Sequence, residues 1–201
     1  MNRLHMISGI ILVVVVTLLG GCSTLDNPAG VPANPAVGTG SVSPTPTLIF
    51  LPRSGGGPLS KDITVSQFVT ALSGGLLRVH GDYLDEERGV TVRMDWCLRI
   101  APHSISESGW FSIALDEEAL AADFGPDGTV FRTPALLDMT TTGLDLSAVP
   151  EGAEVHLYWY NPATGSWELT SAKKITLSRS EGKIVCKDGE IGHFSRYGFG
   201  F

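Results

Sequence analysis

From Val90 to Ile100 apolar and polar positions alternate along the chain. Val90, Val92, Met94, Trp96, Leu98 and Ile100 fall on one side, and Thr91, Arg93, Asp95, Cys97 and Arg99 on the other. A period of two belongs to an extended chain whose successive side chains point to opposite faces, so this stretch predicts an antiparallel strand with one buried face. Shorter runs of the same kind follow at 110–115, 135–140, 173–177, 183–186 and 192–199. Residues 155–160 and 166–170, joined by Asn161-Pro162-Ala163-Thr164-Gly165, predict a hairpin. Many short strands in series predict an all-β fold, a two-sheet antiparallel β-sandwich. Tyr197, Phe199 and Phe201 alternate to the last residue and read as a final strand burying three aromatics.

Two stretches resist this period. Val65, Phe68, Val69 and Leu72 have helical spacing before Gly74-Gly75, yet the β-branched Ile63, Thr64, Val65, Val69 and Thr70 favour a strand, which leaves both open. Asp116-Glu117-Glu118 followed by four small or apolar residues reads as one helical turn or a solvated connection, and Asp82, Asp85, Glu86 and Glu87 as an exposed hairpin loop.

The amino terminus follows a different pattern. Arg3 precedes an apolar run, 7–19, too short for a permanent bilayer span and of the right length for a secretory signal. Leu19-Gly20-Gly21-Cys22 then resembles the bacterial lipobox. That resemblance implies cleavage between Gly21 and Cys22 and acylation of Cys22. Ser23 stands where an aspartate favours inner-membrane retention, which implies an outer-membrane lipoprotein. Residues 23–46 are mostly Pro, Gly, Ala, Ser, Thr and Val with Asp26 the only charge, a composition that cannot bury a core. The expected organisation is therefore a signal peptide over 1–21, a lipidated flexible tether over 22–58 and a sandwich over 59–201. At full stretch residues 23–46 reach on the order of 80 Å, and about 27 Å as a coil.

Charge narrows the partners. Arg3 is the only charged residue lost with the signal, so the 14 basic residues become 13 against 21 acidic, a formal −8. Such a surface disfavours nucleic acid and anionic lipid, and leaves membrane attachment to the acyl chains. With Cys22 acylated, Cys97 and Cys186 remain in an oxidising compartment, where a disulfide and two free thiols are equally consistent with the pattern.

The segment 124–134 carries a turn of its own, with Pro126 suited to its second position, Gly128 to its fourth, and Phe131 returning to the core. Its Phe124, Pro126, Gly128, Thr129, Phe131 and Pro134 also resemble the Phe-x-Pro-x-Gly-Thr-x-Phe-x-x-Pro segment of the ZU-five domain, found in ankyrins, netrin receptors, tight-junction scaffolds and bacterial envelope proteins. Gly74-Gly75-Leu76 resembles that family's opening strand. Ala101-Pro102-His103-Ser104-Ile105 stands at its Pro-Gly-Ala element with the small residues replaced, and His193-Phe194-Ser195-Arg196-Tyr197 resembles its closing strand. The resemblance implies a β-sandwich that binds other proteins or serves as structure.

Some members of that family use a His-Phe-Ser tripeptide for self-cleavage. Here His193 would act as base and Ser195 as nucleophile on the Phe194 carbonyl. The competing reading is an ordinary strand with small polar residues facing water. The five histidines show no metal-ligand spacing, Asp123 and Asp127 flank a turn, and no cofactor-binding motif occurs. Tyr158, Trp159, Tyr160 and Trp167 crowd the hairpin. If Tyr158 and Tyr160 point outward with Trp167, they offer a surface for sugar or protein; if inward, Trp159 is the exposed one. The expected function is a lipid-anchored envelope protein with a partner-binding or structural module and no external substrate, its partner another envelope protein.

Overall fold

The computed structural model describes residues 45–52 and 63–201. Gly21 and Cys22, together with most of the expected tether, lie outside the described residues. Eleven strands and no helix occur among the described residues. They are β1 (Thr64–Val69), β2 (Gly75–Asp85), β3 (Val90–Ile100), β4 (Gly109–Leu115), β5 (Ala121–Gly125), β6 (Val130–Thr142), β7 (His156–Asn161), β8 (Ser166–Thr170), β9 (Ala172–Ser178), β10 (Lys183–His193) and β11 (Arg196–Gly200). One antiparallel sheet runs β1-β4-β5-β11-β7-β8 and the other β2-β3-β6-β10-β9. The two sheets remain open and face each other as a β-sandwich, the fold class expected from the alternation.

The alternation of β3 translates directly into packing. Val92, Met94, Trp96, Leu98 and Ile100 are buried, while Thr91, Arg93 and Asp95 are exposed. Val90, at the hairpin end, stays 38% exposed. Trp96 meets Phe199 of the other sheet edge to face, with ring centroids 5.8 Å apart. Tyr197 and Phe199 are buried as expected of the last strand, and Phe201 is half-buried.

The ambiguous stretch is strand β1, so its β-branched content prevails over the helical spacing. A turn at 70–74 then carries the chain to the other sheet. Gly74 has φ +68°, and a Cβ there would lie 2.1 Å from the Ile100 carbonyl oxygen, so only glycine fits.

Four expectations are corrected. Residues 119–122 form no helical turn: Ala119, Leu120, Ala121 and Ala122 are buried and the last two open β5. Asp116 Oδ1 accepts the N–H groups of Glu118 and Ala119 at 2.8 and 2.7 Å, which turns the chain into that strand without a helix. Asp85 is buried at 2% exposure, held by the side chain and N–H of Arg88 and by the N–H of Glu87, so only its neighbours form an exposed loop. The single strand expected over 192–199 is two strands in different sheets, with Phe194 and Ser195 as the corner between them.

The fourth correction concerns the domain's start. Residues 47–51, expected in the tether, form a strap at one end of the six-stranded sheet. Thr47 and Phe201 exchange both backbone bonds at 3.0 and 3.1 Å, Ile49 donates to Phe199, Leu120 donates to Ile49, and Leu51 donates to Glu118. The strap thus fills the gap where β11 and the chain leading into β5 splay apart. Ile49 and Leu51 point into the core at 3% and 5% exposure. Tyr83 Oη closes it by donating to the Pro52 carbonyl at 2.7 Å.

Cys97 and Cys186 are both free, which removes the disulfide alternative. Cys97 pairs across from Asp138 and Cys186 from Met139, so β6 lies between them. Cys186 faces the core and Cys97 the opposite side of the sheet, an arrangement no S–S bond can span.

Candidate functional site

The two motifs that stood apart in the sequence meet at the corner between β10 and β11. Phe194 is fully buried, and its ring packs against Phe111, Phe124 and Phe131 at centroid distances of 5.4, 5.9 and 5.0 Å. Its N–H donates to the Thr129 carbonyl at 2.7 Å and its carbonyl accepts the Gly128 N–H at 3.1 Å. Phe124 N–H donates to the Ser195 carbonyl at 3.0 Å. The 124–131 segment therefore clamps the tripeptide from both sides with backbone bonds and rings.

The turn in that segment is shifted by one residue from expectation. Thr129 N–H returns to the Pro126 carbonyl at 3.3 Å, so Pro126 opens the turn and Gly128, at φ +78°, is its third residue. The bond Gly125–Pro126 is cis. Pro134 lies within β6 where the register against β10 breaks, between Val130↔His193 and Ala135↔Ile191, a place where a missing N–H costs no ladder bond.

The expected geometry of His193 and Ser195, side by side on one strand face, is not formed. Ser195 is in the corner rather than in a strand, and its Oγ donates to the Tyr160 carbonyl at 3.1 Å. The His193 ring meets Trp159 edge to face at 4.5 Å, and its carbonyl accepts Tyr197 Oη at 2.8 Å. Burial pushes the Tyr197 phenol up to about 12, which keeps that donor protonated. Gly128 N–H on the Phe194 carbonyl is the one element of the corner that an attack there would use. Ser195 Oγ and the His193 carbonyl are engaged in joining this corner to β7 and β11.

The hairpin's two alternatives resolve as well. Leu157 is buried and Trp159 packs against the core, so Tyr158, Tyr160 and Trp167 point outward. They are half-buried rather than free. Tyr160 and Trp167 face each other across the strands with centroids 5.5 Å apart. The Trp167 ring and the Leu48 side chain also lie over Gly198, where a Cβ would come within 3.3 and 3.4 Å of them. Cross-strand packing and cover of a glycine account for most of this aromatic surface. Burial raises the Tyr158 phenol. Beside it on the same face Arg196 pairs with Asp116 and, at 3.4 Å, with Asp123, so Asp123 is engaged by a cation of the chain itself.

One polar cluster escaped the sequence reading. On the outer face of the five-stranded sheet Arg99 pairs with both Asp138 and Asp188, Lys187 lies 3.9 Å from Asp138, and Lys173 lies 3.5 Å from Asp188. It links β3, β6, β10 and β9. The only signal was Arg99 on the polar parity of β3, because Asp188 reaches this face through a bulge at φ +48° that no alternation announces. Comparison of the chain with protein-family models, with curated proteins and with solved structures returns no match.

Proposed function

We propose that the chain is a cell-envelope lipoprotein, anchored in the outer membrane by acylated Cys22. Its β-sandwich serves as a structural or partner-binding module and turns over no external substrate. The lipobox-like Leu19-Gly20-Gly21-Cys22 after a short apolar run supports the anchor. The observation that carries the module reading is the use made of the corner. Phe194 is committed to the core, Ser195 Oγ to the Tyr160 carbonyl and His193 to Trp159, so the residues with most chemical promise act as a structural joint. The ZU-five resemblance of 124–134 agrees with such a module, since that segment is the other half of the joint.

The test has two parts. Pull-down from bacteria carrying the tethered chain, with Cys22→Ser as a mislocalised control, should recover a specific envelope protein with the anchored form only. An intact mass spectrum of the folded chain should show Ser195 to Phe201 still attached, with parent and Ser195→Ala alike. Loss of that heptapeptide in the parent alone would replace the module reading with self-cleavage.

A further inference from the structure

Open sheets leave edge strands, and proteins guard such edges with charge to prevent pairing between chains. Among the described residues the edges are β1 and β8 of one sheet and β2 and β9 of the other. Three carry charge: β2 has Arg78, Asp82 and Asp85, β8 has Glu168, and β9 has Lys173 and Lys174. The fourth, β1, is Thr-Val-Ser-Gln-Phe-Val and carries none, and its neighbour β4 is equally uncharged. On their outer face Phe68 is 50% and Trp110 68% exposed, with rings 5.9 Å apart.

The hydrogen-bond phase of this edge follows from one bond. Leu115 N–H donates to the Ile63 carbonyl, and these residues are in register with the β1–β4 ladder. Antiparallel ladders alternate, so Val65, Gln67 and Val69 turn their backbone groups toward β4. Thr64, Ser66 and Phe68 turn theirs away from β4, to the side where no described strand pairs, and all three side chains are exposed.

We infer that β1 is a self-association edge, pairing antiparallel with β1 of a second copy about a two-fold axis at Ser66. A two-fold axis perpendicular to a sheet keeps each side chain on its own face, so facing residues must share parity. Centred on Ser66, the register sets Ser66 against Ser66, and Thr64 of each copy against Phe68 of the other. Those are the residues with outward N–H and C=O groups, so each facing pair exchanges both of its bonds and no outward group of the strand is left over.

Charge selects a second copy as the occupant. The chain is acidic, with a formal −7 overall, and two identical acidic bodies meet most readily where neither bears charge. The inference deepens the module reading by naming a partner. A contact made by one short strand is small and weak, and tethering both copies to one membrane raises their effective concentration, a part that rests on the proposed anchor.

The experiment is disulfide trapping of the full chain in bacterial membranes. In a narrow antiparallel pair the facing Cα atoms lie about 5.5 Å apart, within disulfide range. Under mild oxidation Ser66→Cys should give a reducible dimer of twice the chain mass, several-fold above the unsubstituted chain, which still carries Cys97, and above Thr176→Cys on β9. Thr64→Pro or Phe68→Pro added to Ser66→Cys deletes an N–H aimed at the free edge and none aimed at β4. Either should lower the dimer yield with the circular dichroism unchanged. A Ser66→Cys yield no higher than the controls, a trapped product with a different protein, or a dimer indifferent to both prolines overturns the inference. Repeating the trapping with purified chain over a concentration series separates a failed edge from a failed anchor. Dimer in concentrated solution but not in cells keeps the edge and counts against the tether.

Discussion

Ser195 Oγ hydrogen-bonds to the carbonyl oxygen of Tyr160, 3.1 Å away, and this bond joins the corner of β10 and β11 to β7. Ser195→Ala removes the donor and leaves that acceptor poorer, a loss of about 1–2 kcal/mol. In a domain of this size the expected result is a melting temperature lower by a few degrees. Scanning calorimetry of parent and variant checks it. An unchanged melting temperature would mean that the hydroxyl does no structural work at the corner.

Legibility in the sequence followed the regularity of the backbone. In β3 every second side chain meets the other sheet, so the pattern and the packing coincide from Val92 to Ile100. The corner was hidden because neither Phe194 nor Ser195, which break the strand, is a glycine or a proline. The strap was hidden by composition. Thr47 to Leu51 follows a long Pro- and Ser-rich stretch, and its burial depends on β11, far away in sequence. The family-like segment 124–131 and the tripeptide were each visible, yet only folding shows that they hold one another. The cysteines were legible in part: Cys97 on the polar parity of β3 and Cys186 two residues after apolar Ile184 already pointed to opposite faces.

That opposition has a measurable consequence. Burial pushes the Cys186 thiol up to about 12, so it is un-ionised near neutrality as well as inaccessible, whereas Cys97 is partly open to solvent. In the native chain an alkylating reagent should modify Cys97 and leave Cys186 unmodified until the domain unfolds, as peptide mapping will read. Reducing agent should leave the melting temperature unchanged. Equal labelling of both thiols before unfolding would contradict this packing.

Acid should act on three carboxyl groups. Burial works to raise Asp85, but hydrogen bonds from the Arg88 side chain and N–H, the Arg88 charge and the Glu87 N–H together hold it below the usual range. At Asp138 burial is likewise outweighed by the Asp188 N–H and by Arg99, and the Ser147 N–H lowers Asp145. A carboxyl whose folded pKa lies below its unfolded one stabilises the fold above the unfolded value, about 4, and loses that contribution as pH falls through the folded value. The melting temperature should therefore be nearly flat from neutrality to about pH 5 and decline below about pH 4. Asp85→Asn should melt lower at pH 7 and show a shallower acid decline. An identical acid decline in parent and variant would remove Asp85 from this account.

The strap makes the strongest demand on where the domain starts. Ile49 and Leu51 are buried side chains, and fully burying one such group contributes about 1.5–3 kcal/mol. Without the strap, backbone groups at Glu118, Leu120, Phe199 and Phe201 lose their partners, and Tyr83 Oη loses the Pro52 carbonyl. A chain begun at residue 59 should accordingly unfold at a clearly lower urea concentration than one begun at residue 43, by an amount consistent with about 3–6 kcal/mol from the two side chains. A synthetic peptide spanning 45–52, added to the shorter chain, should restore part of the difference, because the gap between β11 and the chain leading into β5 remains as its binding groove. Coincident urea transitions for the two chains would show that the strap lies against the sandwich without supporting it, and the domain's start would return to the neighbourhood of β1.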